Sequence, residues 1–259
     1  MTPPQPPRLA ATMVLIRDNP LEVLMVRRNA HAVFPSALVF PGGAVDADDH
    51  SDNWMPLLAS GSQLPPLERA LRIAAIRETF EETALLSAVR TDGTPVEQQE
   101  RTDAAFLKVV QRSGGLLHLD DTVHFGHWVT PVVAPRRFDT RFFVAVAPNG
   151  QHPIADGGET VDCEWALPAQ MVKRAQAGES SIIFPTLLNL MRLAESTTVQ
   201  EAMDAARARQ PFTVTPTVEV RDGTAVAVIS AEAGYGVTEH TAPPPDRHHT
   251  RTKEGRPNG

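Results

Sequence analysis

The sequence holds one cysteine, Cys163, in 259 residues. A disulfide framework within the chain is therefore excluded, and so is a zinc site built from several thiolates. No His or Asn stands around Cys163 as a nucleophile's partner would, so it reads as a small buried apolar residue. Long apolar runs are also missing, whereas a membrane-spanning helix needs roughly 18–20 such residues. The opening MTPPQPPRLAATMVLIRD lacks the basic segment and hydrophobic stretch of a secretory leader, and the closing RPNG differs from an SKL-type peroxisomal address. The expectation is a soluble, cytoplasmic protein with no membrane partner. Positive charge is the minority: 24 Lys and Arg against 31 Asp and Glu give a net charge of −7. With no basic stripe, no nucleic-acid partner is expected. Such a chain binds a polyanion only through local arginines or bound cations. There is no internal repeat.

Hydrophobic residues make up 42% of the chain, enough for a large core. Leu9 to Arg17 and Leu21 to Arg28 read as strands around an Asp18-Asn19-Pro20 turn. Ala37 to Phe40 is a short strand entering Pro41-Gly42-Gly43, where glycines permit close backbone approach to a ligand. The polar stretch 46–66, broken by Pro56, Gly61, Pro65 and Pro66, reads as a loop or insertion. Leu67 to Leu86 is the strongest helix, with Ile73, Ile76 and Phe80 on one stripe. A second helical segment is expected over Val96 to Arg112. Strands follow at His124 to Val133, Arg141 to Ala147 and Val161 to Leu167. Helices are expected from Pro168, around Pro185 to Ala194, and from Thr198 to Arg209. Phe212 to Val220 and Thr224 to Ser230 flank Arg221-Asp222-Gly223 as a hairpin. This order predicts a mixed α/β (α+β) fold, a mixed sheet covered by helices. The main domain is expected over 9–230, with a C-terminal extension at about 196–230. Residues 1–8 and 240–259 lack apolar periodicity and read as disordered. The region 212–259 is a candidate for capping the sheet or for a homodimer contact.

The stretch RETFEETALL, Arg77 to Leu86, carries the chemistry. Glu78, Glu81 and Glu82 fall within five residues. Side chains three and four apart on a helix are neighbours, and like charges so placed destabilise it. A solvated acidic face would account for the cluster. A divalent cation would account for it too, because magnesium prefers oxygen ligands and is held by a few carboxylates plus substrate phosphates. Arg77, adjacent, can orient a carboxylate through paired hydrogen bonds.

With FPGG after a strand and RETFEETALL on a helix, the sequence resembles the Nudix hydrolase superfamily. Its box reads G-x5-E-x7-R-E-U-x-E-E-x-G-U, with U a bulky apolar residue. Gly43 matches the first Gly, and Arg77, Glu78, Glu81, Glu82 and Leu85 match the second half. Thr79 stands at the first U and Ala84 at the last Gly. Between Gly43 and Arg77 lie 33 residues where the ordinary box has thirteen. The box's first Glu is unassigned: Glu68 lies nine before Arg77, and Asp46 and Asp48 follow the glycines. The resemblance implies an α/β/α sandwich with a mixed central sheet, here with added C-terminal helices and a hairpin. It implies metal-dependent hydrolysis of a small-molecule diphosphate, with Mg2+ or Mn2+ as cofactor. Glu78 and Glu82 would be direct metal ligands, with Glu81 assisting. A later Glu, six before a Trp in some members, completes the site or acts as base; here Glu159 precedes Trp165 by six. Glu159 reads equally as a turn residue beside Gly157 and Gly158. Glu78, Glu81, Glu159 and Arg77 are thus the catalytic candidates.

The long insertion, with HWVTP and RRFDTRFF, resembles the branch that contains acyl-CoA diphosphatases. A CoA-cleaving signature matches in part: Arg27 lies thirteen before Phe40 as required, while Ala32 and Ser36 replace an Arg and a Gly. Substrate-binding candidates are Arg27, Arg28, Gly42, Gly43 and Arg137, with Arg136 and Arg141 behind them, because guanidinium forks match phosphate oxygens. CoA or acyl-CoA is the expected substrate; ADP-ribose, NADH and nucleotide sugars are the alternatives. A Nudix-fold sensor without hydrolysis is the alternative of another class, and the intact glutamates argue against it. His124, His127, Trp128, Phe138 and Trp165 read as core.

Overall fold

The computed structural model describes residues 5–30, 35–102 and 104–241. Strands β1 (Arg8–Arg17) and β2 (Glu22–Arg28) form the opening hairpin, followed by β3 (Leu38–Val39) and β4 (Gly42–Ala44). Two 3-10 turns, Ala47–His50 and Asp52–Leu57, lead through β5 (Leu58–Ser60) to the long helix α1 (Pro66–Thr83). Next come α2 (Phe106–Ser113), β6 (Leu117–His118), β7 (Val123–Val129), β8 (Phe138–Val146) and β9 (Thr160–Ala166). Helices α3 (Pro168–Gln176), α4 (Phe184–Leu193) and α5 (Val199–Ala208) precede β10 (Thr213–Val214), β11 (Thr217–Arg221), β12 (Thr224–Val228) and β13 (Glu239–Thr241).

The central sheet runs β10-β7-β8-β1-β2-β3, with β4 also paired to β1 and β9 to β2. It is mixed: β1 lies parallel to β8, from Arg8 beside Phe138 to Ile16 beside Val146, and antiparallel to β2. Alternation along β1 fills both faces. Val14 and Ile16 pack among Leu188, Leu190 and Met203 from α4 and α5. Met13 and Leu15 pack among Leu71, Ile73 and Ile76 from α1 and Val109 and Val110 from α2. The result is the expected α/β/α sandwich. Among the described residues no helix is long and apolar enough to cross a membrane.

Several elements depart from the sequence reading. The stretch 46–66 is not a bare loop, because its two 3-10 turns bury Asp49 and Trp54. The helix expected over 96–112 begins only at Phe106. Before it, side chains tie the chain to another loop: Gln98 Nε2 donates to the His152 carbonyl at 2.7 Å, and Arg101 donates to those of Ile154 and Ala155. Those bonds hold a segment whose polar EQQER offers no apolar stripe to dock. Strand β8 starts three residues early, at Phe138, because β1 supplies pairing down to Arg8. At the tail, His240 and Thr241 belong to β13, which pairs with β12, and the His240 ring stacks on Phe184 at 4.6 Å. The rest of the 240–259 expectation, and residues 1–4, lie outside the described residues. Arg8 is already in β1. The 196–230 region contributes Ala202, Met203, Ala206, Val214 and Ile229 to the core shared with the sheet.

Candidate active site

The second half of the box lies on α1, whose apolar stripe is buried against the sheet as the periodicity predicted. Beside it runs β4, carrying Gly42 and Gly43 as an extra strand on β1. Space demands glycine at 42, against backbone, and Gly43 packs directly on the Glu78 carboxylate. A Cβ on Gly43 would fall 2.4 Å from Glu78 Oε2, and one on Gly42 would fall 2.5 Å from the Ala11 carbonyl oxygen. The Gly42 N–H donates to Glu82 Oε2 at 3.2 Å. The two glycines thus hold the backbone against the carboxylates of α1.

Arg77 organises this corner. Its Nη1 donates to Glu78 Oε1 at 2.9 Å and to Glu81 Oε2 at 2.8 Å. Its Nη2 donates to the Ala44 carbonyl at 2.8 Å, joining α1 to the glycine strand. Its Nε and Nη2 also reach Asp49 Oδ1 at 3.0 Å and Oδ2 at 2.9 Å. Burial works against the guanidinium charge, but Asp49, Glu78 and Glu81 outweigh it and hold the group well above its ordinary range. Asp49 is 2% exposed and is itself fixed by the Asp46 N–H, at 2.8 Å.

Asp49 is the site residue that the sequence reading missed. It stands five intervening residues after Gly43, at the place of the box's first Glu. Counting back from Arg77 runs into the insertion, whereas counting forward from Gly43 finds Asp49. The extra residues therefore lie after Asp49 and not from 46 onward. Glu68 pairs instead with Arg72 within α1, and Asp46 and Asp48 contact Arg77 only at 3.9 Å or not at all among the ion pairs.

The carboxylates left over are strained electrostatically. Burial pushes Glu82, 5% exposed, up to about 8, helped by the Glu78 charge and opposed by Arg28. Burial likewise pushes Glu78 up to about 7, against the pull of Arg77. Glu81, more exposed, is raised for the same reason. Glu159 adds its negative charge to both Glu78 and Glu82, so the structure brings it to the cluster. It sits on a tight loop in which Asp156 accepts hydrogen bonds from the N–H groups of Gly158, Glu159 and Thr160. Its carboxylate has no hydrogen bond or ion pair among the described residues.

Arg28 comes to the same place, as the principal cation acting on Glu82. Its buried Nε lacks a partner, and so does the hydroxyl of Thr160, its register neighbour on β9. Arg27, by contrast, is 3.9 Å from Asp162. Arg137 donates to the carbonyls of Thr130 and Gln5, so its hydrogen bonds strap the N-terminal segment rather than reach the glutamates. Arg141 pairs with Asp139, which also meets His127. His124 packs edge-on against Phe143, and burial lowers it to about 4. Burial raises the Cys163 thiol to about 12, consistent with an inert packing residue. Trp128 is core, bonded through Nε1 to Tyr235 at 3.1 Å, while Trp165 carries Arg17 on its ring face.

The donor types suit a hard divalent cation: all are carboxylate oxygens, from α1 and the Glu159 loop, with protonation favoured first by burial and then by their mutual repulsion. As the side chains stand, no three His, Cys, Asp or Glu among the described residues close tightly enough to hold an ion. Arg77 holds one oxygen each of Glu78 and Glu81. The unpartnered Arg28 Nε is a matching cue for an anion.

The comparisons agree with this geometry. The family model for the NUDT19 Nudix domain matches residues 59–193. The protein called nudix hydrolase 7 in Caenorhabditis elegans is 30% identical over 196 residues, covering 73% of this chain and 61% of that protein. The acyl-coenzyme A diphosphatase NUDT19 of Gallus gallus is 27% identical over 237 residues, covering 70% and 63%. The chain thus spans about three fifths of the length of these curated relatives. A crystal structure of a Nudix hydrolase from Alicyclobacillus acidocaldarius superposes with a TM-score of 0.62 at 31% identity, covering 77% of this chain and 96% of that one. With a matching family model, a shared fold and the box residues gathered on α1 and β4, the chain belongs to the Nudix hydrolase family.

Proposed function

We propose that this protein hydrolyses the diphosphate bridge of a nucleoside diphosphate derivative, with CoA or acyl-CoA as the substrate class. The observation that carries the reading is the convergence of Glu78, Glu82 and Glu159, three mutually repelling carboxylates, beside the unpartnered Arg28. Glu78 and Glu82 would hold Mg2+ or Mn2+, with Glu81 assisting. When bound, the cation supplies charge neutralisation of the diphosphate and a lowered pKa for water.

The chain's own residues do the rest. Arg77 fixes the rotamers of Glu78 and Glu81. Gly42 and Gly43 let β4 pack against β1 and the Glu78 carboxylate, which keeps the glycine strand beside the site. Arg28 offers its guanidinium to a phosphate oxygen. Glu159, which no cation among the described residues pairs with, accepts a proton from the attacking water. The water oxygen bonds to one phosphorus, the bridging P–O bond breaks, and the second phosphate leaves as an anion. Glu78 is the weaker candidate for base, because Arg77 already occupies one of its oxygens.

Support for CoA comes from the relatives' names and from Ser36. Its φ of 57° keeps the left-handed conformation that a glycine takes readily, at the signature position where glycine is expected. Ala32, where the signature has Arg, lies outside the described residues; that replacement keeps ADP-ribose, NADH and nucleotide sugars as the second reading. The test is incubation with Mg2+ or Mn2+ and CoA, acyl-CoA, NADH, ADP-ribose or a dinucleoside polyphosphate, followed by mass analysis. Phosphopantetheine products with adenosine 3′,5′-bisphosphate are expected from CoA. Lack of turnover of every substrate with either metal would overturn hydrolysis and favour a ligand sensor.

A further inference from the structure

Among the described residues, the buried side-chain atoms Arg28 Nε, Thr160 Oγ1, Asn189 Nδ2, Arg192 Nε and Arg209 Nη1 lack a hydrogen-bond partner. The first two belong to the candidate active site. The other three gather on the opposite face of the sheet, where α4, α5 and the segment after β12 meet. There a cavity of about 240 Å³ is lined by His124, Arg192, Arg209, Phe212, Glu232 and Tyr235, among others. Asn189 reaches its wall at Gly126, where an added Cβ would lie 3.0 Å from Asn189 Oδ1.

All three unpartnered atoms are N–H donors, so what this corner lacks is an acceptor. An unpaired buried donor destabilises a protein, and more so when it belongs to a charged group. Arg192 is only 6% exposed, and its other nitrogens are committed. Nη1 donates to the Phe125 carbonyl at 3.1 Å and Nη2 to that of Ala233 at 2.8 Å, while the guanidinium lies 3.6 Å from the Tyr235 ring centre. Those contacts lock the group and leave Nε over. Tyr235 in turn donates to Asn189 Oδ1 at 3.0 Å. Arg209 has only a loose ion pair, 3.8 Å from the exposed Glu195. Two guanidiniums thus line one cavity and repel each other, with Glu195 and Glu232 as the nearby carboxylates and neither closer than 3.8 Å to Arg209 among the described ion pairs. Burial holds Arg192 below its ordinary range; the Arg209 charge adds to the effect, while Tyr235 and Glu195 oppose it.

We propose that this cavity binds a small phosphate-bearing anion, held by Arg192 and Arg209 and separate from the diphosphate site. Two positive charges, Arg192 locked in place and Arg209 loosely held, match a dianion, and guanidinium donors match phosphate oxygens in pairs. The volume is below the roughly 300–1,000 Å³ typical of drug-sized ligands, which limits the occupant to a compact one. Phe125, Pro211 and Phe212 give it an apolar wall. The occupant is therefore free phosphate or a monoester with a small organic group.

The test is calorimetric titration of the whole protein, in chelator, with inorganic phosphate and separately with glycerol phosphate. Saturable binding is expected for at least one. Arg209→Met should weaken it about tenfold or more, as loss of a charge-assisted contact requires. Removing the rim charge with Glu232→Gln should tighten it a few-fold. Arg28→Met should leave it unchanged. Equal affinity for the two probes identifies phosphate alone as the recognised group; a tighter monoester assigns the apolar wall to its organic part. Failure to saturate by about 20 mM, well beyond ordinary ligand affinities, overturns the proposal. So does binding that survives Arg209→Met and vanishes in Arg28→Met, which would place the anion at the diphosphate site.

Discussion

Arg77 and Asp49 meet through two parallel hydrogen bonds, Nε to Oδ1 at 3.0 Å and Nη2 to Oδ2 at 2.9 Å, across 28 residues of sequence. Both side chains are almost wholly buried, at 7% and 2% exposure. Breaking such a pair from one side leaves an uncompensated buried charge and costs about 3–5 kcal/mol. Asp49→Asn should therefore lower the urea midpoint sharply, and Arg77→Lys should do likewise, since an ammonium cannot make the fork. Glu68→Gln keeps an acceptor for Arg72 and should cost about 1 kcal/mol or less. Equal effects of the Asp49 and Glu68 substitutions would remove Asp49 from the box.

The same pair shows how far the sequence carries. The glutamates of α1 are legible because helical spacing and the box agree. The layered fold follows because β1 alternates cleanly between two cores. Asp49 was not legible by counting from Arg77, since the insertion separates two segments that space rejoins. Glu159 was ambiguous because its role depends on a loop folded around Asp156, which no periodicity encodes. The residues before α2 read as helix on composition, but their long polar side chains bond to a neighbouring loop's backbone instead. Arg137 looked like a phosphate ligand on residue type alone; its partners are two backbone carbonyls.

Glu82 gives the most direct test of the metal assignment. It is buried, bonded to the Gly42 N–H, and free of Arg77. Glu82→Gln preserves shape and that hydrogen bond while removing the charge. The variant should fold normally by circular dichroism yet lose about two orders of magnitude or more in kcat, the scale of losing a group that stabilises transition-state charge. Full activity in Mg2+ would sink the assignment.

The metal-free protein should lose stability as pH rises. Glu78 and Glu82 titrate near 7 and 8 when folded, against 4.5 ordinarily. Between about pH 5 and pH 8 the native state thus holds more protons than the unfolded one, so unfolding becomes easier with rising pH. In chelator, Tm should fall by roughly 5–10 °C over that window. Added Mn2+ should cancel most of the fall, because it binds the ionised carboxylates. Glu82→Gln should flatten the slope without any metal. A Tm that rises over this range would contradict the burial of these groups as the dominant cause.

If Glu159 accepts the water's proton, Glu159→Gln should reduce kcat by about 10²–10⁴ and remove the acidic limb of the pH–rate profile. KM should change little, because the carboxylate does not carry substrate binding. Asp156→Asn tests the positioning: it weakens three backbone hydrogen bonds to the Glu159 loop. It should lower kcat less than Glu159→Gln while keeping the acidic limb in place. An unchanged pH profile in Glu159→Gln would return the base assignment to Glu78.

Helix α1 ends on a residue that conformation disfavours. Ala84 takes the left-handed cap at φ 58°, and its N–H donates to the Phe80 carbonyl at 2.8 Å. The box has glycine at this position, and the cap geometry persists here without it. A non-glycine residue in that region costs roughly 1–2 kcal/mol. Ala84→Gly relieves that cost but gives up a buried methyl group and adds freedom to the unfolded chain, about 0.5–1 kcal/mol each. The balance lies within about 1 kcal/mol of wild type in either direction. Glu81 and Glu82 sit within the last turn before this cap, so activity should be retained. Chemical denaturation of Ala84→Gly against wild type measures the balance. A loss of more than about 1 kcal/mol would mean that the methyl group's packing under Leu85 and Leu86 outweighs the backbone strain.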